Sequence, residues 1–158
     1  MTTRAEFNAE EWDVITDGPA IAGMITVTAE GGGTIRESIT MGKVYNQARE
    51  AHLGPQLILE LLETNPAIGQ DEFSSVESLR VEGLQKLAEA IRLLEEKAEP
   101  DEVDAYRGFV MGIAERVAHA HKTGGFLGFG GHEVSDKERA ALEDIRVTIG
   151  AHEVPDAE

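Results

Sequence analysis

Glu115 and His119 stand one helical turn apart and are the most suggestive pair of donors in this chain. A carboxylate and an imidazole at i and i+4 project from one helix face. They can give two ligands to a divalent metal, or simply hydrogen-bond to each other at the surface. His121, two positions on, points to a different side and cannot readily join His119 on one ion. His132 lies farther along and approaches His121 only if the intervening chain folds back. Followed toward the amino end, the same stripe reaches Gly112 and Gly108, and small residues four apart permit a close helix crossing.

The intervening chain, Thr123-Gly-Gly-Phe-Leu-Gly-Phe-Gly-Gly-His132, is unlike ordinary structural sequence. Glycine amides can cradle a phosphate at a helix start. Here, however, a helix rather than a strand comes before the run, no Gly-Lys-Ser/Thr follows, and Glu133, Asp136 and Glu138 repel anions. Nucleotide binding is therefore set aside. Phe126, Leu127 and Phe129 demand burial or a partner, whereas the glycines let the backbone turn sharply around them. The segment is either a clasp plugging the open end of a bundle or a surface that docks a protein partner. Catalysis has less to stand on. No serine sits in a Gly-x-Ser-x-Gly elbow, and in so acidic a chain paired carboxylates at any spacing arise by chance. The protein is read as leaning away from enzymes, with a small-ligand pocket or an enzyme lacking a visible motif as the third reading.

Composition narrows the field further. The chain has 158 residues, 41% of them apolar, enough for one domain with a real core. It has no cysteine, which excludes disulfides, thiolate nucleophiles and thiolate metal sites. Thirty acidic residues against 14 basic ones give a net charge of −16. Such a surface repels nucleic acid and anionic lipid, and no basic stripe offsets it. The simplest reading is a solvated surface that resists self-association; a high-salt cytoplasm and cation capture are the sharper ones. The start of the chain lacks the apolar core of a signal peptide, and the run from Ala20 to Ala29 is about half a membrane span. These features predict a cytoplasmic protein without nucleic-acid or membrane partners.

The donors need helices to position them, and helix starts recur. A capping residue followed three positions later by a carboxylate occurs at Asn8/Glu11, Thr34/Glu37, Ser74/Glu77, Asp101/Asp104 and Ser135/Glu138. After Ser74 the stripe Val76, Leu79, Gly83, Leu87, Ile91 and Leu94 has helical spacing. Val103, Tyr106, Val110, Ile113 and Val117 repeat it. The short connection at Glu99-Pro100 predicts antiparallel neighbours. In the last helix Leu142, Ile145 and Ile149 face inward and Gly150 ends it. Gly18-Pro19 is expected to break or kink the first helix, and Gly31-Gly32-Gly33 to separate it from the second. Pro55 is placed at the first position of a short helix over 56–63. Strand alternation is absent apart from a brief β-branched run, Ile25 to Thr28. The prediction is an all-α, single-domain bundle of five to six helices over 1–150, with a Gly/Phe-rich loop before the last helix and a flexible acidic tail over 151–158.

The run Gly124-Gly-Phe-Leu-Gly-Phe-Gly-Gly-His-Glu-Val-Ser-Asp-Lys-Glu138, continued through Ala140 to Gly150, resembles a group of small bacterial helical proteins with a similar Gly-Phe-Leu-Gly, Val-Ser and Glu arrangement before the last helix. The likeness extends to the Pro19 region and to Glu37, and no function comes with it. The same terminal pattern is more remotely similar to the TerB-like domains of tellurite resistance, which would imply metal binding or a stress role. Their acidic-glycine turn is replaced here by Gly-Gly-His-Glu-Val-Ser, and no residue role is carried over. Two functions follow as expectations. The first is a non-enzymatic protein that works by contact with a protein partner or with itself, anchored by Phe126, Leu127 and Phe129. The alternative is a divalent-metal site that includes Glu115 and His119; no other cofactor is expected.

Overall fold

A computed structural model describes residues 1–29, 45–47, 50, 54–66, 68, 72–123 and 135–151, and these form an all-α bundle. After a short 3-10 turn at Arg4–Glu6, five helices have defined bounds among the described residues: α1 (Ala9–Thr28), α2 (Gln56–Glu63), α3 (Val76–Lys97), α4 (Pro100–Thr123) and α5 (Asp136–Ile149); residues 45–47 and 50, between α1 and α2, are helical as well. No strand occurs among the described residues. One apolar core joins all five helices, running from Phe7 and Trp12 through Leu57, Leu87 and Val110 to Ile149.

α1 is the central helix. Every residue from Ile15 to Gly23 is buried, as expected of a helix apolar on all sides and wrapped by others. It shares its largest surfaces with α3 and α4, which touch each other far less despite their short connection. α5 packs across α3, α4 and α1, and α2 lies against α4. The buried threonines on α1 bond within the helix: Thr16 Oγ1 donates to Trp12 O at 2.8 Å and Thr26 Oγ1 to Ala22 O at 2.8 Å. The β-branched run Ile25–Thr28 is helical because Ile25, Thr26 and Val27 are buried against neighbours, which outweighs its intrinsic preference.

Pro19 corrects one expectation. α1 runs unbroken through Gly18-Pro19. Proline has no N–H, so the Ile15 carbonyl one turn earlier loses its usual donor. The Tyr106 hydroxyl of α4 donates to that carbonyl at 2.7 Å. Gly18 makes the approach feasible, because a Cβ at that position would lie well inside contact distance of the same hydroxyl. A second glycine works alike: a Cβ on Gly83 of α3 would sit 2.8 Å from Ile21 Cγ2 and 3.1 Å from Ile25 Cδ1 of α1.

The helix starts largely follow the capping pattern. Asn8 and Glu11 form a complete capping box, with both hydrogen bonds at 2.9 Å, and Ser135 and Glu138 form another. α3 starts one residue later than expected, with Ser75 accepting from Ser78 N at 3.0 Å. α4 starts earlier: Pro100 takes the first helical position, and Glu102 reaches back to accept from Glu99 N at 3.0 Å. Pro55 caps α2 from outside rather than opening it. Thr34/Glu37, Gly31 to Gly33 and the tail over 152–158 lie outside the described residues. Of the α3 stripe, Val76 is exposed and the other five residues are buried. All five stripe residues of α4 are buried, as are Ile145 and Ile149, while Leu142 is half-buried on the core. Gly150 ends α5 in the left-handed conformation at φ 70°. There Arg107 of α4 donates through Nε to Ile149 O at 2.7 Å and pairs with Glu95 of α3 at 2.8 Å, tying three helices at one point.

Candidate functional site

α4 carries both the inward polar contacts and the outward donors, so its two faces define the candidate site. Its inward face begins at Glu102, which is only 5% exposed. Glu102 Oε1 accepts from Thr2 N at 2.7 Å, which pins the amino-terminal arm onto the start of α4. Burial alone would raise this carboxyl, but the hydrogen bonds from Thr2 and from the Glu99 amide outweigh it and hold Glu102 below the ordinary glutamate range. The arm has two further anchors: Arg4 N donates to Glu60 Oε2 at 2.6 Å and Lys97 Nζ to Glu6 O at 3.2 Å. The start of α1 is held in turn by Trp12 Nε1 on Thr64 Oγ1 at 3.2 Å and by Glu11 paired with Lys97 at 2.6 Å.

One turn on from Glu102 the inward face presents Tyr106, fully buried. Burial pushes its hydroxyl well above the ordinary tyrosine range, with Tyr45 and Asp17 adding to the effect, so it remains a neutral donor. Asp17 is itself buried on α1 beside the Gly18-Pro19 step. Tyr45 is also buried and meets Phe109 of α4 edge-on, ring centroids 6.3 Å apart. This buried polar group of Asp17, Tyr45 and Tyr106 was invisible in a reading of motifs. Its only trace in the sequence is a Gly-Pro pair within an apolar helix and a tyrosine in a stripe otherwise made of valine and isoleucine.

The outward face of α4 carries Gly108, Gly112, Glu115 and His119. Gly108, Glu115 and His119 are exposed and Gly112 is half-buried. Among the described residues nothing lies within 4 Å of a Cβ placed on Gly108 or on Gly112. The close crossing that their spacing predicts is therefore not made by any described helix; the crossings that need glycine occur at Gly18 and Gly83. Glu115 and His119 stand one turn apart on α4. No group of three or more histidine, aspartate or glutamate residues positioned to hold a metal occurs among the described residues. Phe126, Leu127 and Phe129, together with His132, lie outside the described residues, although the helices on both sides of them are defined.

Among the described residues no helix is long and apolar enough to cross a membrane. No family model, curated protein or solved structure matches this chain.

Proposed function

We propose that this protein acts in the cytoplasm through protein–protein contact or self-association rather than by catalysis. Its anchors are the outward face of α4 and the adjoining Phe126, Leu127 and Phe129. One observation carries the reading: Gly108 and Gly112 face space that no described residue fills. Each glycine in a helix interior is less favourable than alanine by about 1 kcal/mol. At Gly18 and Gly83 that loss is offset by a neighbouring side chain seated against the backbone. On the outward face of α4 no described residue supplies such an offset, and the backbone of a second helix fits such a stripe. The buried polar groups support the same reading. Tyr106 and Glu102 are committed to holding α1 and the amino-terminal arm.

The test is native mass spectrometry with analytical ultracentrifugation of the full chain and of Gly108→Ala and Gly112→Ala. Each substitution is expected to stabilise the fold by about 0.5–1 kcal/mol while weakening association at least tenfold. Rings of Phe126 and Phe129 found by nuclear Overhauser contacts against Gly108 and Gly112 of the same chain would turn the surface into an internal clasp and overturn the proposal. A second reading rests on the shared exposure of Glu115 and His119, which leaves both donors open to a divalent cation. The same spectra weigh it. A bound zinc ion lost in His119→Ala supports that reading, and a metal-free monomer at every concentration removes both metal binding and self-association.

A further inference from the structure

Pro19 interrupts the hydrogen-bond ladder of α1 at its most buried stretch, and the two halves of the helix are anchored separately: both reach α3, the first at Lys97 and the second at Gly83, and the first also reaches Thr64. The amino-terminal half is fixed by the Asn8 capping box, by Trp12 on Thr64 and by Glu11 on Lys97. The carboxy-terminal half is seated through Ile21 and Ile25 over Gly83 in α3. At the division stand the two residues least suited to a helix interior, glycine and proline, side by side. Kinks in helices concentrate at such steps. α1 is nevertheless continuous, and the Tyr106 hydroxyl fills the place of the missing amide by donating to Ile15 O.

We infer that α1 is a two-part helix hinged at Gly18-Pro19, and that the hydroxyl of Tyr106 is the latch that holds it in its continuous form. Without the latch the Ile15 carbonyl is a buried acceptor lacking its donor. Turning the carboxy-terminal half about Pro19 lets solvent reach that carbonyl and so relieves the deficit. The opening that the hinge permits is a swing of Pro19–Thr28 away from Gly83, with the amino-terminal half staying in place. Gly18 belongs to the same device, since any side chain there would displace the latching hydroxyl.

Hydrogen–deuterium exchange of the full chain, read by mass spectrometry, separates a latch from a generally stabilising contact. Tyr106→Phe keeps the ring in the core and removes the donor. Exchange over Ala22–Thr28 is expected to rise about tenfold or more relative to the change over Trp12–Asp17. Pro19→Ala restores an amide at the hinge. In that background Tyr106→Phe should alter exchange by less than about threefold, because Ile15 O regains a backbone donor. Equal acceleration in both halves, no acceleration, or an undiminished effect in the Pro19→Ala background would each overturn the inference. If Tyr106→Phe alone does not fold, folding of the double variant supports the latch and failure of the double variant overturns it.

Discussion

The two faces of α4 hold the same kinds of residue to different ends. Inward, Glu102 and Tyr106 are buried and each meets a specific backbone group, while the glycines opposite this core, Gly18 and Gly83, are pressed by side chains. Outward, Gly108 and Gly112 meet no described atom, and Glu115 and His119 are exposed. Glycines at helical spacing thus have two meanings. Where a neighbour occupies the absent Cβ, glycine is a packing requirement. Where the space is open, it is a surface that no described residue occupies.

Substitutions at the glycines probe this contrast directly. Gly18→Ala should have the largest effect, because the new methyl displaces the Tyr106 hydroxyl and orphans Ile15 O together. A loss of about 3 kcal/mol in urea unfolding is expected, and a variant as stable as the parent would break the comparison on its inward side. Gly83→Ala comes next. Its methyl crowds Ile21 and Ile25, and the gain in helix propensity offsets part of the strain, leaving a net loss of about 1–2 kcal/mol. Both changes oppose the stabilisation expected for alanine at Gly108 and Gly112.

The smallest effect depends on pH. Glu102→Gln should destabilise the fold by about 1 kcal/mol at neutral pH, since a charge-assisted acceptor for the arm becomes a neutral one. The Glu102 carboxyl lies below its ordinary value in the folded chain. Its contribution is therefore fully present above about pH 4.3 and is lost as pH falls through the lower folded value. Unfolding curves of the two proteins should converge between neutral pH and pH 3; a gap that stays constant would show that the carboxylate charge does not hold the arm.

Much of the bundle was legible because helices announce themselves locally. The box at Asn8 and Glu11, the box at Ser135 and Glu138, and the stripe from Val103 to Val117 need only nearest-turn chemistry, and all three are present as read. The shift from Ser74 to Ser75 reflects two adjacent residues with equal capping ability. Pro19 misled because its consequence is decided 87 positions away in sequence: only the packing of α4 on α1 brings Tyr106 to the orphaned carbonyl. α3 and α4 do touch, as their short connection implies, but over less surface than either shares with α1. A short connection limits how far apart two helix ends lie, but α1 lies against both helices and takes most of their facing surface. For the candidate site, spacing placed Glu115 and His119 on one face, yet it could not distinguish the pressed glycines from the open ones.

The aromatic content of the chain gives the hinge an optical consequence. There is one tryptophan, Trp12, and it sits in the amino-terminal half of α1 with its indole held by Thr64. Tyr106 sits at the joint, its hydroxyl kept from ionising by burial. Emission from Trp12 therefore follows the fixed half of the helix, whereas tyrosinate absorbance from Tyr106 develops only when the joint is exposed to alkaline solvent. With Tyr45 replaced by phenylalanine, the unlabelled protein thus has separate spectroscopic channels for the fixed half of the helix and for the joint.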